Sequence, residues 1–105
     1  MIRVSVFYTG GAGNTFDMDY FLSHHIPLVH QTIGAALKAA TVEQGLSGGM
    51  PGTPPLYAAI CHFDFDSMET FQASFGPSAG AIMSDVPNYT NVQPILQISQ
   101  ITHKE

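Results

Sequence analysis

The sequence predicts an α+β fold with the element order βαββαβ, in which both helices cover one face of a four-stranded sheet. Segments of alternating apolar residues mark the strands, and two segments with helical periodicity and N-terminal capping residues separate them. A chain of 105 residues is long enough for one hydrophobic core and too short for two. We therefore expect residues 1–105 to form a single domain.

The first strand is predicted at residues 2–9, because apolar and polar side chains alternate there. The glycine-rich segment 10–14 lacks the lysine and hydroxyl of a phosphate-binding loop, so we expect a turn. The helix that follows is predicted to begin after Asp17 as N-cap, with Phe16 and Phe21 forming a hydrophobic staple.

This first helix is predicted to extend to about Ile33, with Gly34 relaxing or ending it. At 100° per residue, His25 falls in the middle of the apolar arc, among Phe21, Leu22 and Val29. Pro27 lies inside the helix and has no N–H to donate, so a kink is predicted beside the histidine.

A second strand is predicted at residues 37–46 and a connection at 47–55, which is rich in glycine and proline. Residues 57–65 give the strongest strand pattern, and both of its faces carry apolar residues, as expected for a sheet covered on both sides. Its two predicted faces are Tyr57, Ala59, Cys61, Phe63 and Phe65 on one side, and Ala58, Ile60, His62 and Asp64 on the other.

Asp66 is predicted to cap the second helix, with Glu69 completing a capping box; the apolar stripe of this helix is interrupted at residues 76–77 (Gly-Pro) and resumes at 79–83. A polar loop at 85–91 precedes the last strand, predicted at 93–101. This order is that of a ferredoxin-like sandwich.

In such a sandwich the helices cover only one face of the sheet. The apolar residues on both faces of the third strand nevertheless predict that the other face is covered too. Charged residues make up only 10% of the chain, against about 25% in ordinary globular proteins. A neutral polar surface could explain the low charge, but a second copy of the chain packed sheet to sheet explains both observations. We therefore expect a homodimer.

The charge and cysteine content argue against several classes of partner and location. The net charge is −5 with three cationic residues, so neither nucleic acid nor an anionic membrane surface is an expected partner. The sequence shows no membrane span and no basic and apolar leader. A lone cysteine, Cys61, favours a reducing cytoplasm.

Two motifs resemble those of the EthD family. Residues 16–22 (FDMDYFL) with 25–29 (HIPLV) resemble its first-helix signature, and residues 85–91 (DVPNYTN) with 97–99 (QIS) resemble its C-terminal signature. With the predicted third strand and the helix after it, the likeness covers nearly the whole chain.

The resemblance implies a dimeric α/β barrel made of two ferredoxin-like subunits. The family is named after ethyl tert-butyl ether degradation, where its member accompanies an oxygenase system, and members are often labelled reductases. Related barrels carry out cofactor-free oxygenation, isomerisation, decarboxylation or haem chemistry, and the fold alone cannot choose among these. The family's motif histidine corresponds to His25.

His25 is the predicted catalytic residue, because a partly buried imidazole stays neutral and can accept a proton near pH 7. The alternative is a core histidine satisfied by a backbone carbonyl. His62 would assist if its strand face is the one that the helices cover; a place in the dimer interface or at the surface is the alternative. The predicted substrate-binding residues are Tyr8, Phe21, Leu22, Val29, Tyr57, Asp85, Asn88, Tyr89 and Thr90.

Together these observations predict an apolar pocket between sheet and helices that holds a small organic molecule, with histidine-assisted, cofactor-independent proton transfer or oxidation. The sequence contains no dinucleotide or flavin motif, and no metal-ligating spacing around His25, so no cofactor is expected. Two alternatives remain: a non-catalytic carrier or accessory protein for an oxygenase system, and a haem-binding or metal-binding barrel.

Overall fold

The computed structural model describes residues 1–105 and has the predicted element order. One antiparallel sheet contains β1 (Ile2–Thr9), β2 (Ala39–Gln44), β3 (Tyr57–Phe65) and β4 (Ile95–Gln100), in the order β2-β3-β1-β4. Helix α1, residues 18–33, combines Met18–Tyr20, a π-helical turn Phe21–His25 and Ile26–Ile33; helix α2 is Met68–Ser84. This architecture confirms the predicted ferredoxin-like α+β sandwich.

Helix α1 begins and ends as its terminal residues predict. The Tyr20 N–H donates to Oδ1 of the N-cap Asp17 at 3.0 Å, and the rings of Phe16 and Phe21 lie 5.1 Å apart as the predicted staple. Gly34 ends the helix with a φ of 73°, a backbone conformation that suits glycine.

The kink predicted at Pro27 takes the form of a wider, π-helical turn immediately before it. The N–H of Ile26 donates to the carbonyl of Phe21, five residues back. A π-helical turn uses more residues than an α-helical one, so it shifts the angular position of every later residue. Phe21, His25 and Val29 consequently form the buried row of the helix.

Helix α2 differs from its prediction at the cap. Ser67 is the N-cap, and its Oγ accepts the N–H of Thr70 at 3.1 Å. Asp66 is exposed and lies 3.8 Å from the amine of Lys38. The predicted cap at Asp66 is therefore wrong by one residue, because the hydroxyl of Ser67 already satisfies the first turn.

Helix α2 continues through residues 76–77, where its apolar stripe is interrupted, and Pro77 lies inside it. Phe71 and Ile82 are buried on either side of the proline, and Oγ of Ser78 donates to the carbonyl of Thr32 in α1 at 3.0 Å. These tertiary contacts hold the helix against the local preference of proline to break it.

Strand β1 lies in the middle of the sheet and directs Val4, Val6 and Tyr8 towards the helices. The pairing with β3 shifts at the end, where Tyr8 faces Ala59 but Thr9 faces Tyr57. This β-bulge moves Tyr57 to the other face of the sheet, where no helix packs. Strand β2 is shorter at both ends than the predicted residues 37–46.

Neither helix combines the length and the apolar character that crossing a membrane requires.

Candidate functional site

An apolar cavity lies between the sheet and the two helices. Its volume is about 50 Å³, room for roughly four water-sized groups. Fourteen of its sixteen lining residues are hydrophobic. The lining comprises Val4, Val6, Tyr8, His25, Val29, Ile33, Phe63, Phe65, Phe71, Phe75, Ile82, Met83, Val86, Tyr89, Pro94 and Leu96.

Three side chains supply the polar atoms at one end of this cavity: His25, Tyr8 and Tyr89. The two tyrosine hydroxyl oxygens lie 2.8 Å apart, and the hydroxyl of Tyr89 lies 3.5 Å from Nε2 of His25. His25 is only 4% exposed, and its ring stacks on Phe21 with centroids 5.1 Å apart. Phe21 and His25 stack because residues four apart lie one above the other on the same face of a helix.

The other ring nitrogen of His25 is held by Asp85, the residue at the C-terminal end of α2. Nδ1 of His25 lies 2.9 Å from Oδ2 of Asp85. Oδ1 of Asp85 accepts two further hydrogen bonds, from the Tyr20 hydroxyl at 2.6 Å and from the Asn88 amide at 3.0 Å. Asp85 thus joins both helices and the loop after α2 through one carboxylate.

These contacts determine the charge state of the pair. Burial opposes ionisation of Asp85, but the hydrogen bonds from Tyr20, Asn88 and His25 outweigh it and hold the pKa of the carboxyl below its usual value. For His25, burial lowers the pKa below the ordinary 6.5, although the hydrogen bond to Asp85 opposes this. At neutral pH the pair is therefore a carboxylate and a neutral imidazole.

An ionised carboxylate can only accept hydrogen bonds, which assigns the imidazole proton to Nδ1. Nε2 of His25 then carries a lone pair, on the side of the ring that faces Tyr89 and the cavity. A base held in one tautomer by a carboxylate, with its free nitrogen facing an enclosed space, is an arrangement that suits proton abstraction.

The two tyrosines stay protonated at neutral pH. Burial raises the pKa of Tyr8, and the neighbouring Tyr89 raises it further. Burial also raises the pKa of Tyr89, although the hydrogen bond with Tyr8 opposes this. Both side chains can therefore act as hydrogen-bond donors, but neither is a base.

Only some of the predicted substrate-binding residues line the cavity. Tyr8, Val29 and Tyr89 line the cavity, and Phe21 packs behind His25 without lining it. Leu22 is 50% exposed and does not reach the cavity, because the π-helical turn shifts it out of the apolar arc.

Tyr57 and His62 do not reach the cavity either. Tyr57 packs on Phe7, with ring centroids 5.1 Å apart, on the sheet face opposite the helices. On the same face, Nδ1 of His62 lies 2.8 Å from Oγ of Ser5, and Nε2 lies 3.6 Å from Oε2 of Glu43. His62 therefore cannot assist His25, because the sheet separates them.

The loop after α2 supplies Tyr89 to the cavity and supports the site through Asn88 and Thr90. Asn88 is exposed and bonds to Asp85. Thr90 is buried and donates to the carbonyl of Thr15 at 2.6 Å, fixing the loop against the start of α1. Neither residue lines the apolar cavity.

Tyr20 is the supporting residue that sequence reasoning missed. It lies outside the helical apolar arc, and nothing local marks it as a partner of a residue 65 positions away. Phe71 and Phe75 also line the cavity. In the sequence their helical spacing indicates only the apolar stripe of a helix and does not mark a cavity. No group of three histidine, cysteine or acidic side chains comes together to hold a metal ion.

Fold and site together define a class of protein: a ferredoxin-like α+β sandwich whose buried histidine–aspartate pair borders an apolar cavity between sheet and helices. The EthD domain model matches residues 11–93. The chain belongs to the EthD family, which confirms the resemblance of its two motifs.

Solved structures agree. An EthD-like protein from Ralstonia eutropha JMP134 shares 38% identity at a TM-score of 0.93, over 99% of this chain and 94% of that one. An EthD family protein from Bacillus halodurans C-125 shares 17% identity at a TM-score of 0.75, over 97% of this chain and 99% of that one. A protein from Thermobifida fusca YX, described as dimeric and ferredoxin-like, shares 16% identity at a TM-score of 0.60, over 95% of this chain and 90% of that one. The last two show the fold alone. No curated protein matches the chain significantly.

Proposed function

We propose that the chain binds a small, uncharged, mostly apolar organic molecule in the cavity, and that His25 accepts a proton from it. The observation that carries this proposal is the 2.9 Å contact between Nδ1 of His25 and Asp85, which assigns the proton to Nδ1 and leaves Nε2 as an acceptor facing an apolar cavity. The size of the cavity limits the ligand to a few non-hydrogen atoms unless lining side chains move.

In the proposed step, a weakly acidic C–H or O–H bond of the ligand breaks and its proton moves to Nε2 of His25. The imidazolium that forms is stabilised by the Asp85 carboxylate 2.9 Å away. The Tyr89 hydroxyl can donate to the oxygen on which negative charge develops. Return of the proton to another atom of the same molecule completes an isomerisation with no change in oxidation state, so no cofactor is needed.

The test is deuterium exchange at the carbon next to the carbonyl of small apolar ketones in D₂O, followed by proton NMR. We expect the protein to accelerate exchange and His25→Gln to lose about 100-fold or more of that acceleration. His24→Gln is the matched control, since His24 is exposed and contacts Tyr20 and Ser23, not the cavity. Absence of acceleration by the wild-type protein contradicts the proposal.

A carrier or accessory protein for an oxygenase system is the second candidate. The cavity supports it, because His25 and two tyrosines are its only titratable lining residues and the rest is apolar. Binding of the ketones without accelerated exchange would favour this candidate. An oxidation would need an electron acceptor supplied from outside the chain, and a reduction, which the label reductase implies, would need an electron donor from outside it.

We further propose that two copies pack sheet to sheet. The support is the face opposite the helices, where Phe7, Tyr57 and Ile60 are only half-buried and Ile95 is 51% exposed. The dimeric ferredoxin-like relative from Thermobifida fusca is consistent with this. The lone Cys61, buried in the core, supports a reducing cytoplasm as the location.

A further inference from the structure

We infer that the ligand carries one neutral hydroxyl group, of phenol or enol type, which hydrogen-bonds to both His25 and Tyr89 while its apolar body fills the rest of the cavity. This deepens the proposed function and rests on it, because the same cavity and imidazole hold the ligand.

The hydrogen bonding of His25 is incomplete at Nε2. The only partner of Nε2 is the hydroxyl of Tyr89 at 3.5 Å, longer than the normal 2.7–3.2 Å of such bonds. The residue is 4% exposed, so bulk water does not satisfy this nitrogen. A buried acceptor whose only partner is this distant, at the end of a cavity, suits a hydrogen-bond donor on the ligand.

The number of protons available at the polar end of the cavity also favours a hydroxyl group. The hydroxyl of Tyr8 has no partner except that of Tyr89, so Tyr8 donating to Tyr89 leaves the Tyr89 proton free for a ligand. The polar end of the cavity then offers one donor, Tyr89, and one acceptor, Nε2 of His25. A hydroxyl group both donates and accepts, so it satisfies both atoms.

Other oxygen groups fit less well. A ketone or ether oxygen only accepts, so it pairs with Tyr89 alone, leaves Nε2 of His25 free to take a proton from carbon, and binds more weakly than a hydroxyl group. A carboxylate or phosphate would meet no lysine or arginine in the lining, and the negative charge of Asp85 lies directly behind the imidazole. The site therefore selects against anions.

The shape and composition of the cavity lining favour an aromatic ligand. Phe65, Phe71 and Phe75 form a continuous aromatic wall, with successive ring centroids 5.1 and 5.3 Å apart, which favours a flat apolar ligand. Met83 and Leu96, 39% and 44% exposed, form the mouth between α2 and β4. Because a methionine side chain adapts easily, movement of Met83 can enlarge a cavity of about 50 Å³ for a six-membered ring.

The experiment compares four ligands of nearly the same size by calorimetry on the full chain: 4-methylphenol, 4-methylanisole, p-xylene and 4-methylbenzoate. We expect 4-methylphenol to bind at least tenfold more tightly than 4-methylanisole and p-xylene, and 4-methylbenzoate not to bind. Tyr89→Phe should weaken the binding of 4-methylphenol about fivefold or more and leave p-xylene unchanged. Tyr57→Phe, on the other face of the sheet, is the matched control and should change neither.

The outcomes separate this inference from the proposed function. Equal affinity for 4-methylphenol and p-xylene would overturn the hydroxyl preference and leave an apolar binding cavity. Tightest binding of 4-methylbenzoate would overturn the preference for a neutral ligand. Binding of none of the four would contradict the cavity as a ligand site, and both proposals with it.

Discussion

Nδ1 of His25 lies 2.9 Å from Oδ2 of Asp85, although 60 positions of the chain separate the two residues. The contact connects the middle of the first helix to the last turn of the second. It fixes the tautomer of a buried imidazole and leaves Nε2 of that imidazole facing the cavity. The proposed chemistry depends on this one relationship.

Replacing His25 by glutamine should abolish proton transfer to the protein while the fold survives. Glutamine is close to histidine in size and can still donate a hydrogen bond to Asp85, but it has no nitrogen that accepts a proton. We expect the rate of ketone exchange to fall about 100-fold or more, with circular dichroism unchanged. Unchanged exchange in His25→Gln would remove His25 from the site.

Asp85→Asn should reduce the rate about 100-fold while leaving the side chain in nearly the same space. The amide cannot stabilise the imidazolium, and the pKa of His25 should fall further because its opposing carboxylate is lost. The matched control is Asp66→Asn, since Asp66 is exposed and 3.8 Å from Lys38. Equal rates in both variants would contradict the role of Asp85.

Tyr20 acts as a positioning residue, because its hydroxyl donates to Oδ1 of Asp85 at 2.6 Å and does not line the cavity. In Tyr20→Phe we expect the pKa of Asp85 to rise and the exchange rate to fall roughly tenfold, the scale of one lost hydrogen bond to an ion. The pH–rate profile separates this from a purely structural effect: its acid limb should move to higher pH. A lower rate with an unmoved profile would argue for a structural role.

The elements of this fold could be predicted from the sequence because their signals are local. Asp17 and Phe16 mark the start of α1, and the run of residues 57–65 with apolar side chains on both faces gives β3 its bounds. Distant contacts override local preference at Pro77, which is tolerated because Phe71 and Ile82 anchor α2 on both sides of it.

The site was only partly predictable for the same reason. The position of His25 in the apolar arc and its family motif indicated a buried imidazole, but its partner Asp85 is set by tertiary structure. The predicted positions of Leu22 and Tyr57 assumed regular helical and strand spacing. A π-helical turn in α1 and a β-bulge in the pairing of β1 with β3 change that spacing, so both predictions were wrong. A one-residue change of phase moves a side chain to another face.

Acid should destabilise the fold in two steps. In the folded chain the pKa of His25 lies below 6.5, the ordinary value that applies to the unfolded chain. Between these two pKa values the unfolded chain binds more protons than the folded chain, so the free energy of unfolding falls as the pH falls. The pKa values of Asp64, bonded to Arg3, and of Asp85 lie below the ordinary 3.8, so stability falls again below about pH 4. Each group contributes a slope of at most about 1.4 kcal/mol per pH unit.

Urea unfolding at half-unit pH steps measures both slopes. His25→Gln should lose the first slope and keep the second, because the two carboxylates remain. A wild-type stability that does not change between pH 7 and pH 5 would contradict the burial of a neutral imidazole.

Ile60→Glu should dissociate the proposed dimer, because it places a charge on the sheet face that the second copy would cover. Sedimentation at micromolar concentration should give a species of twice 11.3 kDa for the wild type and 11.3 kDa for the variant. Leu22→Glu, on the exposed side of α1, is the control and should remain dimeric. A wild-type protein that sediments as a monomer would contradict the dimer.

Nitrogen-15 NMR of the histidine rings at pH 7 tests the central claim most directly. The account predicts that Nδ1 of His25 carries the proton, that Nε2 is unprotonated, and that the Nε2 resonance shifts when 4-methylphenol is added. A proton on Nε2, or an Nε2 resonance that does not respond to a bound ligand, would show that this nitrogen does not receive the proton and would contradict the account.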